Sequence, residues 1–210
     1  MLLHGVGESH KTWDPQVASL SRHFRLFLPD LPGYGRSPGP FNLDAAVESL
    51  HALHQGRPLH LCGLSAGAMV ALRWTARYPE DVASLIISAV QVRPPRLVMW
   101  LQTAVMRLIP AGAFGGDEDG VTKTTVLQAM GELRRADLRP DLARVRVPTL
   151  VMCGAKDGLN LAASRVAAAG ITGAELRIVP GAKHLWNQDL PDLFNRTVVE
   201  WVGRSSAEAQ

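Results

Sequence analysis

Short apolar runs alternate along this chain with longer stretches of helical periodicity, and that alternation admits few architectures. Met1-Leu2-Leu3, Arg25–Leu28, Pro58–Cys62, Ala83–Ser88, Thr149–Cys153 and Glu175–Val179 read as strands. Asp14–His23 reads as a helix with Pro15 at its first position and Val17, Leu20 and Phe24 on one side. Asn42 is the expected N-cap of another, carrying Leu43, Ala46, Val47, Leu50 and Leu53. A third follows Ser65 and ends at Tyr78-Pro79. A closing helix spans about Leu190 to Val202, with Asp189 and Asp192 at its start, leaving Ser205–Gln210 as a frayed tail. Segments in this order form a mostly parallel sheet, here of about six strands, covered by helices on both faces.

The alternation pauses between Val90 and Pro148. Arg96–Ile109 places Leu97, Trp100, Leu101, Ala104, Val105 and Leu108 at helical spacing; Gly112–Gly120 is loop-like; a second helix spans about Thr122–Ala136. The expected division is an α/β core of residues 1–91 and 148–210 with residues 92–147 as a small helical cap, the alternative being an elaborated crossover. Leu97, Trp100 and Leu101 are candidates for an acyl pocket on that cap, or for core packing.

Bulk properties narrow the function classes. A chain of 210 residues fits one domain with a sizeable core. The formal charge of +3 raises nucleic acid as a partner. The densest basic cluster, Arg134, Arg135, Arg139, Arg144 and Arg146, has no interleaved aromatics and no nucleic-acid motif, so it reads as a solvated face. No apolar run approaches the roughly 20 residues of a membrane span, and no secretory signal pattern opens the chain. The expectation is a cytoplasmic protein without membrane or nucleic-acid partners. There is no H-E-x-x-H, Asp117-Glu118-Asp119-Gly120 does not match a calcium loop and reads as a solvated turn, and no glycine-rich phosphate cradle follows a strand. Neither metal nor cofactor is expected.

What remains is a nucleophile. Gly63-Leu64-Ser65-Ala66-Gly67 follows an apolar strand and opens a helix, which predicts a sharp turn with Ser65 at its apex, at the positive end of the helix. A serine needs a base, and the base needs an orienting acid. His184, just past the 175–179 strand and the turn Pro180-Gly181-Ala182-Lys183, is the candidate base; His10, His23, His51, His54 and His60 lack such a position and read as structural. Asp157, on the loop after the 149–153 strand, is the candidate acid, since Ala89–Val92, the rival position, carries no carboxylate. For the oxyanion of ester cleavage, the expected donors are the backbone N–H groups of Ala66 and Val6, the latter in His4-Gly5-Val6-Gly7.

Together these residues resemble the α/β-hydrolase fold family, whose nucleophile, acid and histidine follow in that order. The resemblance extends from Leu2-Leu3-His4-Gly5 through Asp30-Leu31-Pro32-Gly33-Tyr34-Gly35-Arg36-Ser37 and the elbow to His184-Leu185-Trp186-Asn187. It implies a sheet in which the Arg25–Leu28 strand is outermost, next to the first strand, followed by the others in chain order. In that order one strand separates Cys62 from Cys153, about 9–10 Å at roughly 4.8 Å per strand. A disulfide needs about 7 Å, so both are expected as buried thiols. The family usually carries two further strands ahead of the one ending in His-Gly. Their lack would expose the Arg25–Leu28 edge, and an upstream extension or a second protomer, a homodimer, is expected to cover it.

The implied activity is that of a serine esterase acting on a small-molecule ester-like substrate through an acyl-enzyme. Thioesters, lactones, amides and diketone carbon–carbon bonds fall to the same constellation. Epoxide and haloalkane hydrolysis are disfavoured, because they use an aspartate where Ser65 stands. A slow or silent ligand-binding sensor on the same scaffold is the alternative.

Overall fold

The computed structural model describes residues 1–54, 56–113 and 121–208. Its centre is one parallel sheet of β1 (Leu2–Leu3), β2 (Leu59–Leu64), β3 (Val82–Ser88), β4 (Thr149–Gly154) and β5 (Glu175–Val179), side by side in that order. A short 3-10 turn leads into α1 (Asp14–Leu20), and α2 (Leu43–Ala52) precedes β2. The helix α3 (Ala66–Arg77) leaves β2 directly; α4 (Arg96–Leu108), α5 (Lys123–Leu133) and α6 (Arg139–Leu142) lie between β3 and β4. The chain closes with α7 (Leu161–Gly170) before β5, then α8 (Trp186–Asp189) and α9 (Pro191–Glu208).

Successive strand residues face opposite sides, and both sides are apolar because both are covered. Leu3, Leu61, Leu85, Ile87 and Val151 join one buried cluster with side chains of α2, α3 and α5. Leu2, Cys62, Leu64, Ile86, Leu150 and Met152 join the other, with Trp13, Leu20, Phe194, Val198 and Val202 of the α1–α9 side. Cys62 and Cys153 are buried, free thiols on β2 and β4 with β3 between them. Burial pushes their pKa values up to about 12 and about 11, so neither is a reactive thiolate.

Several expectations change. Arg25–Leu28 is not a strand: the Leu2 N–H donates to the Phe27 carbonyl at 2.9 Å and Leu26 and Leu28 pack against the core, but no ladder forms, and Phe27 is 45% exposed. The neighbouring β1 is two residues long and offers no ladder to extend, and Pro29 follows at once. Among the described residues the sheet therefore has five strands, against the expected six or so. In α1, Val17 is exposed, and Gln16 faces inward, donating to the Asn187 carbonyl at 2.7 Å. Residues 205–208 are helical rather than frayed, since α9 continues to Glu208 with Ser205 buried and bonded to the Trp201 carbonyl; the last two residues of that tail lie outside the described residues. Asn42 caps α2 as expected, accepting from the Ala45 N–H at 2.9 Å. The acidic run at residues 117–120 lies outside the described residues.

Below the sheet, buried Asp81 accepts from the Trp74 indole N–H at 2.8 Å and pairs with His51 and His54. Burial disfavours its charge, but these partners outweigh burial and hold its carboxyl below the ordinary range. A depressed folded-state pKa stabilises above the unfolded value near 3.9, and that contribution is lost as pH falls through the folded value. Asp81→Asn should therefore lower stability by about 1–3 kcal/mol at neutral pH. In urea titrations the gap to the parent should close on acidification; a pH-independent gap would mean the charge contributes nothing.

Candidate active site

Ser65 sits between β2 and α3 with φ 55° and ψ −114°, a backbone conformation that non-glycine residues rarely adopt. The flanking glycines are what permit it. A Cβ on Gly63 would overlap the Gly67 carbonyl, and one on Gly67 would overlap the backbone carbonyls of Leu3 and His4. The turn is pinned to the sheet by the Ser65 N–H, donated to the Ser88 carbonyl at 2.9 Å. Ala66 is the first residue of α3, so its N–H has no partner one turn back in its own helix.

The loop after β1 presses on this turn. A Cβ on Gly5 would stand 3.3 Å from the Ser65 Cβ. His4 shapes the loop: its Nε2 accepts the Leu31 N–H at 2.9 Å, so Nδ1 carries the proton and donates to the Gly5 carbonyl at 2.8 Å. Complete burial lowers its pKa to about 4, which keeps the ring neutral and this pairing intact. Asp30 braces the same region from beneath, accepting from the backbone N–H groups of His10 at 2.8 Å and Arg36 at 3.1 Å.

On the far side, the loops after β4 and β5 are locked together. Gly154 presses on the carbonyls of Ala182 and Lys183, and the Lys156 N–H donates to the Ala182 carbonyl at 2.9 Å. That docking brings His184 Nδ1 to 2.7 Å from Asp157 Oδ2. The Asn160 amide donates to both Asp157 oxygens at 2.9 Å, and Gln91 in turn donates to the Asn160 carbonyl oxygen at 2.9 Å. Burial opposes charge on Asp157, but the hydrogen bonds from His184 and Asn160 prevail and its carboxyl stays below the usual range. An ionised acceptor at Nδ1 puts the proton there and leaves Nε2 as the basic nitrogen.

Ser65 and His184 share the walls of two adjoining cavities, of about 610 and 790 Å³. Asp157, Asn160, Gln91 and Ala66 line the first; Gly5, Gly7 and Glu8 line the second; Val6, Gln102 and Met130 border both. Of the three cap residues expected at a pocket, Leu101 lines the second cavity. Leu97 and Trp100 line neither cavity and are 76% and 55% exposed, and Leu101 itself is 58% exposed. The helix turns Met99, Gln102 and Met106 toward the cavities instead. Sequence reasoning missed Asn160 and Glu8. The Asp-x-x-Asn spacing after β4 was a visible signal for the first; for the second, only its place two residues beyond Val6.

Comparisons with known proteins identify the family and the fold. Residues 1–197 match the family model described as the alpha/beta hydrolase family. The pimeloyl-(acyl-carrier protein) methyl ester esterase of Edwardsiella ictaluri is 32% identical, over 98% of this chain and 93% of that protein. A hydrolase from Pseudomonas aeruginosa superimposes with a TM-score of 0.81 at 26% identity, over 96% of this chain and 88% of its own. The enol-lactonase from Burkholderia xenovorans superimposes with a TM-score of 0.85 at 24% identity, over 96% and 90% of the two chains, a likeness of fold.

Proposed function

Because this chain belongs to the alpha/beta hydrolase family, we propose that it is a serine hydrolase cleaving a carboxylic ester through an acyl-enzyme, with Ser65, Asp157 and His184 as its triad. The observation that carries this reading is the Asp157–His184 hydrogen bond on the wall of the cavities that Ser65 also lines. His184 Nε2 takes the Ser65 proton as Oγ attacks the carbonyl carbon, and the oxyanion lies against the N–H groups of Val6 and Ala66. The tetrahedral intermediate collapses, the C–O bond to the alcohol breaks, and His184 returns the proton to the leaving oxygen. Water then repeats the sequence on the acyl-enzyme, releasing the acid and free Ser65.

The esterase relative, named for a methyl ester, supports an ester of a small alcohol on a chain several carbons long as the first substrate to assay. The apolar side chains of Leu101, Val105, Met106, Ile109 and Val126 along the second cavity suit such a chain. Labelling with a fluorophosphonate, followed by an acyl-length series of esters, tests the reading. Stoichiometric labelling of Ser65 with multiple turnovers is expected. Slow, single-turnover acylation with tight retention of the acyl group would favour a sensor instead.

Asp157→Asn tests the acid separately. An amide donates where the carboxylate accepts, so it favours the wrong imidazole tautomer. The expected loss is about 10⁴-fold in kcat, with fluorophosphonate labelling correspondingly slowed. A loss below about tenfold would remove Asp157 from the mechanism.

A further inference from the structure

Hydrolysis of a plain alkyl ester leaves the carboxylate of Glu8 without a task. This carboxylate is half-buried on the loop after β1 and lines the larger cavity, whose other walls are chiefly apolar. Its Oε2 accepts the Gly5 N–H at 3.3 Å. A Cβ on Gly5 would stand 3.3 Å from that oxygen and 3.3 Å from the Ser65 Cβ, so the carboxylate and the nucleophile flank the same glycine. Burial pushes its carboxyl pKa up, offset in part by the Gly5 N–H, the Thr12 hydroxyl and, at longer range, His184.

We propose that Glu8 is a specificity-determining carboxylate: it receives a hydrogen-bond-donating group, hydroxyl or ammonium, carried by the substrate beside the scissile ester, and it excludes substrates with an anion at that place. The inference rests on the ester-hydrolase reading and deepens it by naming the substituent the site selects.

Three considerations carry it. A carboxylate has about four acceptor sites, and the Gly5 N–H and Thr12 hydroxyl occupy only part of that capacity. The cavity around it is lined mainly by apolar side chains such as Leu101, Val105 and Ile109, with Ser65, Gln102 and His184 as its polar side chains, and a polar group short of partners among apolar walls is costly. A ligand donor would complete it. Second, the Gly5 contact does not account for the residue. At 3.3 Å it is long for a bond to a charged acceptor, which runs about 2.7–2.9 Å. A glutamine could make the same contact with its amide oxygen. Third, a second anion brought beside Glu8 meets a like charge at close range, a repulsive element of the kind that creates specificity.

The experiment uses the full chain at pH 8 with matched esters of equal length bearing a methyl, hydroxyl, ammonium or carboxylate terminus, placed in turn on the alcohol and acyl halves. The readout is the ratio of kcat/KM values within each enzyme, so a general loss of activity cancels. For one half of the substrate, the parent enzyme should prefer the ammonium ester over the carboxylate ester by about 10²-fold. Glu8→Gln, which keeps the acceptor to Gly5 and removes the charge, should collapse that ratio to within about threefold of unity. If the hydroxyl ester leads instead, and Glu8→Leu erases its lead over the methyl ester, the natural donor is a hydroxyl; if the ammonium ester leads, it is a cation. A parent ratio near one on both halves, or a ratio unchanged in Glu8→Gln, overturns the proposal. A parent that labels at Ser65 and turns over the neutral ester without charge preference sinks this inference alone. One that neither labels nor turns over any ester sinks the ester-hydrolase reading beneath it.

Discussion

Ser65→Ala is expected to lower ester turnover by at least about 10⁴-fold, with the far-ultraviolet spectrum and the urea midpoint little changed. Alanine keeps the Cβ that meets Gly5 and inherits the same positive φ, so the backbone of the elbow has no reason to move. What disappears is the oxygen that attacks in the proposed mechanism. The reaction is then left with oriented N–H donors and a base without a partner, which is why some acceleration over water should survive. Assay by pH-stat on the preferred ester, with active-site titration of the parent to exclude trace contamination, reads the loss directly. Turnover within tenfold of the parent would show that the nucleophile is elsewhere.

The second large effect falls on stability. Gly67→Ala should destabilise the chain by about 3 kcal/mol or more and sharply cut its soluble yield. The added methyl would enter the backbone carbonyls of Leu3 and His4. Those atoms cannot retreat: Leu3 is held in register against Gly63, and His4 is clamped between Leu31 and Gly5. Gly131→Ala, in the middle of α5, is the control. Nothing outside its own helix lies within 4 Å of its Cβ position, so alanine's helix propensity should leave stability unchanged or raise it by up to about 1 kcal/mol. Equal urea midpoints for the two variants would refute the close-packing account of the elbow.

Both effects come from the part of the molecule most legible in the sequence. An apex serine with a glycine one residue removed on either side, between a strand and a helix, defines a local conformation, and local conformations depend on nearby residues alone. The same holds for the Asn42 cap and for the apolar strands at residues 149–154 and 175–179. Errors arose where the outcome depended on a distant neighbour. Arg25–Leu28 has strand-forming residues, but the sheet offers it only the two residues of β1 as a partner. Val17 and Gln16 exchanged places because Asn187, far along the chain, presents a carbonyl that Gln16 satisfies. Leu97 and Trp100 share helical spacing with Leu101, yet only Leu101 reaches a cavity, since the side of α4 turned inward is chosen by the elements packed beneath it.

The candidate site divides along the same line. Ser65, Asp157 and His184 were nameable from the chain because each follows a strand in a parallel sheet, and the ends of such strands necessarily gather at one edge. Their pairing was expected as well, but its geometry was not. The 2.7 Å contact of His184 with Asp157, the doubled amide of Asn160 and the carboxylate of Glu8 beside Gly5 exist only because loops remote in sequence dock on one another through Gly154 and Gly5. Periodicity and turn chemistry are properties of neighbouring residues, so the chain by itself dictated its layers and the apex serine. Distances between loops depend on how the strands stack, so only the folded molecule fixed how closely Asp157 approaches His184 and which carboxylate lines the cavity.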